Sequence, residues 1–291
     1  MPQVALPPGY DHLDSGPLRL TVAKELHDLL LPHLQDDFAA LSGMNRLRPF
    51  PGTPHALLFW IDSPPRYFVL RRSRRRGLIG RVLRDLYGDP ERPLRELIAS
   101  EKARRGGVPT PRVVAVRTAK GPAGFWRHAV VTEAVPNAEP LDQAVTAAGR
   151  LTGPARRKRL EAIGEPLAAA ISALHEAGVL HADLQTENIL VSVTNAIPPV
   201  HLIDLDGAEV VEHAVPAARL ANLQRLHRSC VKRGLAPAPL SASARIRFFR
   251  LYQRTVPILT KKGERKKEWS RWEAALFFHR LWWSLTGGRK T

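Results

Sequence analysis

One stretch of the chain, residues 178–207, alternates polar side chains with two short apolar runs. A turn that contains two prolines separates the apolar runs, so they predict a pair of short strands. Polar residues stand before the first strand and directly after the second; they are Asp183, Asn188, Asp204 and Asp206. The stretch therefore predicts a loop, a strand, a turn, a second strand and an acidic turn, in that order.

These side chains suit phosphoryl transfer from a metal–nucleotide complex, a reaction that needs positioning and charge neutralisation more than covalent help. Asp183 would accept or orient the proton of an attacking hydroxyl. Asn188 and Asp204 offer hard oxygen ligands to Mg²⁺, and Asp206 is a candidate second carboxylate. The alternative is a hairpin with surface acids. The H-x-D-x4-N spacing and the following strand-D-x-D agree with each other, which favours the catalytic interpretation.

The net charge of the chain indicates an anionic partner but does not identify its chemical class. The chain has 291 residues, with 44 Lys and Arg against 27 Asp and Glu, a formal net charge of +17. Such a balance suggests a polyanion: nucleic acid, anionic lipid, or a phosphorylated or sugar-acid substrate. The single cysteine, Cys230, excludes an intrachain disulfide and a cysteine-rich zinc site.

The sequence predicts neither a secretory signal nor a membrane-spanning helix. The first residues have neither a basic n-region nor an apolar core, so a secretory signal is not expected. No apolar run reaches the roughly 18 residues that a spanning helix needs. We expect a soluble or peripheral intracellular protein.

The order of predicted elements is mixed α+β. We predict that residues 1–16 are loose and that residues 18–41 form one or two helices. Strand candidates at 56–61 and 66–71 flank a Pro-Pro turn, and a helix candidate follows from Glu91 or Pro93 through Arg104. Beyond these lie a strand candidate at 126–133 and helix candidates at 156–177, 219–232 and 244–259.

We divide the chain into three parts. A partly helical N-terminal extension covers residues 1–48. A small β-rich N-lobe with one main helix covers 49–135. A larger, mostly helical C-lobe covers 136–291 and ends in basic, aromatic helices.

Seven segments of the chain resemble the bacterial lipopolysaccharide core kinases of the Kdo/WaaP type, within the protein-kinase-like two-lobed fold. They are F-V-L-R-R-S-R-R-R-G-L from Phe68, R-E-L from Arg95, G-V-P-T-P-R from Gly107, T-E-A-V-P from Thr132, H-A-D-L-Q-T-E-N-I-L from His181, L-I-D-L-D from Leu202 and N-L-Q-R-L-H-R-S from Asn222. The catalytic segments are shared with kinase-like enzymes at large. The Arg-rich segment and the last helix point more narrowly to this family.

The resemblance implies ATP as phosphate donor, Mg²⁺ as cofactor and a sugar hydroxyl of the lipid A–inner core region as acceptor. It also places a nucleotide site. Gly52 stands where kinases carry a glycine-rich loop, although a plain turn is an equal alternative. Arg71 occupies the position of the phosphate-binding Lys, and Glu96 would pair with it unless it is an ordinary surface residue. The backbone of Glu133 and Val135 would meet adenine.

Three departures from the kinase pattern matter. The glycine loop is thin, Arg71 is not a neutral replacement for Lys, and Ala182 replaces the Arg of H-R-D. Without that Arg, control by a phosphorylated activation loop is not expected. The chain after Asp206 lacks an A-P-E segment, which argues against a conventional platform for protein substrates.

The leading hypothesis is an ATP-dependent kinase for a Kdo or heptose hydroxyl, peripheral on the cytoplasmic face of the inner membrane. Its partner would be a lipid-linked sugar acceptor; nucleic acid is not expected, and no oligomeric state is predicted. One alternative is a protein Ser/Thr kinase or small-molecule phosphotransferase of the same fold. Another is a nucleotide- or anion-binding pseudokinase. The basic, aromatic residues 245–285 would either pack on the C-lobe or dock on an anionic membrane surface.

Overall fold

A computed structural model describes residues 5–50, 56–61, 65–73, 85–193, 196–236 and 238–255. These residues divide into two compact units. The β unit holds the described residues of 1–105, 110–136 and 204–208, and the helical unit holds those of 106–109, 137–203 and 209–291.

A seven-stranded antiparallel sheet forms the β unit, in the order β1-β2-β6-β7-β5-β4-β3. The strands are β1 (Tyr10–Asp14), β2 (Leu18–Ala23), β3 (Leu47–Pro49), β4 (Ala56–Ile61), β5 (Arg66–Arg72), β6 (Val113–Lys120) and β7 (Trp126–Glu133). Arg71 of β5 lies opposite Val130 of β7 and Ala56 of β4. This register decides the face on which Arg71 lies, because a slip of one residue would turn its side chain to the opposite side of the sheet.

The main helix of the β unit is α3 (Arg92–Arg105). Leu94, Leu97 and Ala103 lie on its buried face, as periodic apolar spacing predicts. Glu96 lies on the same face and is only 5% exposed. An acid at such a position requires a partner, and the site described below supplies one.

The N-terminal residues differ from the prediction. Residues 10–14 and 18–23 are strands, not a loose segment and a helix, and β2 pairs with the edge of β6. The physical reason is that Thr21 and Val22 are β-branched and β6 offers an unpaired edge. Only after Ala23 does the chain become helical, in α1 (His27–Gln35) and α2 (Ala39–Gly43).

Contacts between aromatic rings join this N-terminal region to the sheet. The Phe59 ring of β4 lies between Phe38, with centroids 5.4 Å apart, and Phe68 of β5, with centroids 5.3 Å apart. All three rings are buried and belong to the core that also contains Leu30 and Leu34 of α1. Residues 10–41 therefore share a hydrophobic core with the strands of the sheet.

The helical unit contains α4 (Leu141–Gly149), α5 (Gly153–Glu176), α6 (Pro216–Lys232) and α7 (Ala242–Thr255). Its short strands are β8 (Ala138–Pro140), β9 (Val179–Leu180), β10 (Ile189–Ser192), β11 (Val200–Leu202) and β12 (Glu209–Val210). Strand β10 lies between β8 and β11, and β9 pairs with β12. Gly178, with φ of 67°, follows the end of α5 and leads the chain into β9.

Most elements after residue 55 match their predicted spans. The predicted pair of strands within residues 178–207 is β10 and β11, and the long helix predicted from residue 156 begins slightly earlier, at Gly153. Among the residues that the structure describes, no helix is both long and apolar enough to cross a bilayer. Much of the Trp-rich C-terminus, beyond residue 255, lies outside the described residues.

A buried polar network joins three helical-unit elements near the start of the predicted catalytic loop. His175, at the end of α5, is fully buried. Its Nδ1 accepts a hydrogen bond from the Tyr252 hydroxyl at 2.7 Å, and its Nε2 donates to Asn222 Oδ1 at 3.3 Å. Asn222 Oδ1 also accepts the backbone N–H of His181 at 2.9 Å. Burial lowers the pKa of His175 to about 4, so the ring is neutral and can accept at Nδ1.

The depressed pKa of His175 predicts a loss of stability in mild acid. Below pH 6.5, the ordinary pKa of histidine, His175 binds a proton in the unfolded chain but stays neutral in the folded chain. The stability that is present above pH 6.5 is therefore lost as the pH falls towards 4. Between about pH 7 and pH 5, His175→Gln should lose about 1–2 kcal/mol less unfolding free energy than the wild type, measured by urea denaturation.

His128 and His201 also have lowered pKa values. Because the wild type and His175→Gln both contain these two residues, the difference between their slopes of unfolding free energy against pH reports His175 alone. The control is His213→Gln, because the His213 side chain is 84% exposed. Identical pH slopes in wild type and His175→Gln would contradict the assignment.

The central ring of the aromatic stack gives a second prediction. Phe59→Ala should lower the free energy of unfolding by about 3–5 kcal/mol, because it removes a fully buried ring that contacts both neighbours. Tyr67→Ala, on the adjacent strand and 50% exposed, should cost less than about 1 kcal/mol. Similar thermal shifts for the two variants would show that the N-terminal helices do not depend on this stack.

Candidate active site

The β unit brings together three of the predicted site residues. Arg71, near the end of β5, donates from Nη2 to Glu96 Oε1 on α3, and the same nitrogen lies 3.1 Å from Asp204 Oδ1. The Arg71 side chain is 22% exposed and that of Glu96 is 5% exposed. The ion pair expected between the strand's cation and the helix carboxylate is therefore present, and Asp204 is its third member.

Burial is the largest single influence on the pKa values of Glu96 and Arg71, and neighbouring charges oppose it in both. It raises the pKa of Glu96 to about 7; the Arg71 guanidinium opposes the rise, and the nearby carboxylates of Asp204 and Asp206 add to it. Burial also disfavours the charge on Arg71, but Glu96 and Asp204 outweigh it and hold the Arg71 pKa above its ordinary value. Arg71 thus stays charged, with acids on more than one side.

Asp204 is held in a costly conformation. Its φ is 60°, in the left-handed region that residues with a side chain rarely adopt. Its Oδ1 is buried and has no hydrogen-bond donor, so the ion contact from Arg71 is its only compensation within the described residues. A buried anionic oxygen with spare coordination capacity fits a hard cation such as Mg²⁺.

Asp206 is neutralised differently. Both of its carboxylate oxygens accept hydrogen bonds from Arg92, at 2.8 and 2.7 Å, and the Arg92 guanidinium also lies 5.0 Å from the centroid of the Tyr87 ring. Although burial works against the charge on Asp206, the Arg92 bonds keep its pKa below the ordinary value. Asp206 as a metal ligand stays a prediction, and Arg92 would have to release it.

The described residues contain no group of three or more His, Cys, Asp or Glu arranged for a metal ion. Mg²⁺ commonly binds through one or two carboxylates together with phosphate and water oxygens, so a larger cluster is not required. Asp204 remains the residue whose own geometry fits the ion.

In the helical unit, the loop from His181 to Asn188 holds Asp183. The backbone N–H of Asp183 donates to His181 Nδ1 at 3.1 Å, and Gln185 Nε2 donates to Asp183 Oδ2. Asn188 Nδ2 donates to the Asp183 carbonyl at 2.8 Å, so these two predicted residues are in contact. The Asp183 side chain is 47% exposed, which leaves its carboxylate accessible to a substrate.

His181 fixes the loop against the strand that follows it. Because Nδ1 accepts the Asp183 N–H, Nε2 carries the proton and donates to the Ile203 carbonyl at 3.0 Å. The Ile203 N–H in turn donates to the Asn188 carbonyl at 3.0 Å. The Ile203 backbone therefore binds both ends of the loop, at the His181 ring and at the Asn188 carbonyl.

Helix α6 anchors the same loop from the other side. Asn222 accepts the His181 N–H, and Ser229 Oγ accepts the Thr186 N–H at 3.1 Å. The two anchors are seven residues apart, which is two helical turns. Sequence reasoning assigned them no role. The available signal was that Asn222 and Ser229 adjoin the apolar face of Leu223, Leu226 and Cys230.

The structure describes only some of the remaining predicted residues. Gly52 lies outside the described residues, as do Arg74, Arg75 and Arg76 of the Arg-rich segment. Glu133 is the exposed last residue of β7, and its N–H already donates to the Arg112 carbonyl at 3.0 Å. Val135, just beyond the strand, is half-buried. The adenine-binding role of Glu133 and Val135 stays a prediction.

Solved structures support the fold. The structure of WaaP in complex with acyl carrier protein superposes with a TM-score of 0.54 at 18% identity, over 88% of this chain and 98% of that one. At this identity the likeness shows the fold alone, and it confirms the predicted α+β, protein-kinase-like fold.

Curated relatives carry the identification further. The 3-deoxy-D-manno-octulosonic acid kinase of Xanthomonas axonopodis pv. citri (strain 306) is 31% identical over 201 residues, 67% of this chain and 74% of the relative. A kinase with the same description from Actinobacillus succinogenes is 30% identical over 168 residues, 56% of this chain and 65% of the relative. The lipopolysaccharide kinase (Kdo/WaaP) family model matches residues 61–252. The chain is thus a phosphotransferase with an alcohol group as acceptor, and it belongs to the lipopolysaccharide kinase (Kdo/WaaP) family.

Proposed function

We propose that the protein transfers the γ-phosphoryl group of ATP to a hydroxyl of 3-deoxy-D-manno-octulosonic acid (Kdo) in the lipopolysaccharide inner core. The observation that carries the proposal is the Asp183 carboxylate, which is half-exposed yet oriented by Gln185 and by its own backbone bond to His181. The description shared by the curated relatives supports Kdo over heptose as the acceptor.

Asp183 acts on the acceptor hydroxyl. As the hydroxyl oxygen forms its bond to the γ-phosphorus, the bond from that phosphorus to the β–γ bridging oxygen breaks, and the electron pair leaves with ADP. The hydroxyl proton passes to the Asp183 carboxylate. Gln185 limits rotation of the carboxylate, and the His181 and Asn188 contacts hold its backbone, so the proton acceptor is preorganised.

The β unit would meet the charge of the nucleotide. Arg71 presents a guanidinium that Glu96 holds in place, and such a fork suits phosphate oxygens. Asp204 and Asp206 of this unit are proposed ligands of Mg²⁺, which when bound neutralises charge on the phosphates; Asn188, the third predicted ligand, belongs to the helical unit. The backbone of Glu133 and Val135 would take adenine, and Gly52 would approach the phosphates.

The competing function is a pseudokinase that binds nucleotide or another anion without transfer. One observation favours it: the bidentate Arg92–Asp206 pair occupies a carboxylate that a two-carboxylate metal site would use. The test below separates it from a kinase, and an acceptor series separates Kdo from heptose, protein and small-molecule acceptors.

We place the enzyme in the cytoplasm, peripheral on the cytoplasmic face of the inner membrane, because its acceptor is lipid-linked and its net charge is +17. An anionic membrane surface is the second partner that this charge fits. Nucleic acid is not a proposed partner.

The test is mass spectrometry of Kdo-bearing lipid A after incubation with ATP and Mg²⁺. We expect one added phosphate on the Kdo residue for the wild type. Asp183→Ala should lower turnover by about 10²- to 10⁴-fold, because the proton acceptor is lost, while calorimetric affinity for Mg²⁺·ADP stays unchanged. Glu212→Gln, at a carboxylate that is 92% exposed in the same unit, should keep full activity.

Three results would contradict the proposal. Nucleotide binding without phosphate on any acceptor indicates the pseudokinase. Phosphate on heptose or on casein-like protein, and none on Kdo, replaces the acceptor. Full turnover by Asp183→Ala removes Asp183 from the reaction.

A further inference from the structure

Helix α6 does more than anchor the catalytic loop. Arg225 lies three residues after Asn222 and four before Ser229, so the three side chains share one face of the helix. Asn222 and Ser229 bind the loop at His181 and at Thr186. The Arg225 side chain, between these two anchors, is held next to the loop.

The guanidinium of Arg225 lies close to Asp183 but makes no hydrogen bond to it. Its Nη1 lies 3.6 Å from Asp183 Oδ1, longer than a hydrogen bond, and its side chain is 45% exposed. No hydrogen bond involves Arg225 in the part of the chain that the structure describes. Its fork of N–H donors is therefore available to a ligand.

Two other arginines of the same unit are engaged. Arg219 donates to the Ala214 carbonyl and to Glu176. Arg233 pairs with Glu187 and also lies 3.7 Å from Asp142. Arg225 thus combines proximity to Asp183 with free donors.

The loop itself supplies no positive charge. Its sequence from His181 to Asn188, H-A-D-L-Q-T-E-N, contains two acids and neither Lys nor Arg. An acceptor that carries a carboxylate would be repelled by Asp183 unless a cation stood beside it. Arg225 lies where that cation is needed.

We propose that Arg225 binds the carboxylate of an acidic sugar acceptor and so selects an acid over a neutral sugar. The inference rests on the proposed function, since it names the residue that would recognise the Kdo acid group. Two N–H donors of the guanidinium bind the carboxylate oxygens, and the acceptor hydroxyl is presented to Asp183. The transferring phosphoryl group is another anion that could reach Arg225, and the experiment distinguishes the two.

The experiment compares free Kdo with its carboxyl methyl ester as ligands of the full-length protein, by calorimetry. The wild type should bind the acid about 10- to 100-fold more tightly than the ester, the range expected for hydrogen bonds between charged groups. Arg225→Gln should bind both alike. Arg228→Gln, exposed and one turn further along α6, should keep the preference of the wild type.

Steady-state kinetics supply the second readout. In Arg225→Gln the KM for Kdo-bearing lipid A should rise about tenfold or more, while the KM for ATP changes less than about twofold. An unchanged melting temperature of Arg225→Gln separates this effect from misfolding.

Each contrary result has one meaning. Retained acid preference in Arg225→Gln, no acid preference in the wild type, or no measurable binding of Kdo by the wild type overturns the inference. A raised KM for ATP with an intact acid-to-ester ratio assigns Arg225 to the phosphoryl group and also overturns it. Acid preference that depends on Arg225, without any phosphate transfer, keeps this site and rejects the proposed kinase reaction.

Discussion

The buried ion pair between Arg71 and Glu96 constrains both the sheet and the main helix of the β unit. It requires that β5 keep the register that places Arg71 opposite Val130, and that α3 turn Glu96 towards the sheet. Loss of Arg71 would leave the buried Glu96 carboxylate without its cationic partner, and removing one partner of a buried pair typically costs about 3–5 kcal/mol. Asp204, in its left-handed conformation, depends on the same guanidinium.

In the helical unit, the half-exposed carboxylate of Asp183 is positioned by hydrogen bonds. Asp183 has contacts on several sides: the His181 ring, the Gln185 amide and the Asn188 amide. The loop that carries it is fixed in turn by Asn222 and Ser229 of α6. A neutral His175, kept neutral by burial, supports Asn222 from behind. Asp183, the proposed proton acceptor, is therefore held by hydrogen bonds that lead to α5 and α6.

Much of this was predictable where local pattern and tertiary packing agree. Periodic apolar spacing located α5, and the H-x-D-x4-N and strand-D-x-D spacings located Asp183, Asn188 and Asp204. Prediction failed over residues 10–23, because isolated apolar residues there fit a helix and a strand alike until β6 supplies a partner. Arg92 was missed because its partner Asp206 is 114 residues away in the chain, a separation that no local pattern reports.

A double-mutant cycle on Arg71 and Glu96, with Mg²⁺·ATP affinity measured by calorimetry, tests most directly whether Arg71, held by Glu96, receives the nucleotide. Arg71→Gln and Glu96→Gln should each weaken binding, and the double variant should bind no worse than Arg71→Gln alone. The resulting coupling should be about 0.5–3 kcal/mol, because Glu96 acts through Arg71. Strictly additive losses, or unchanged affinity in Arg71→Gln, would contradict the account.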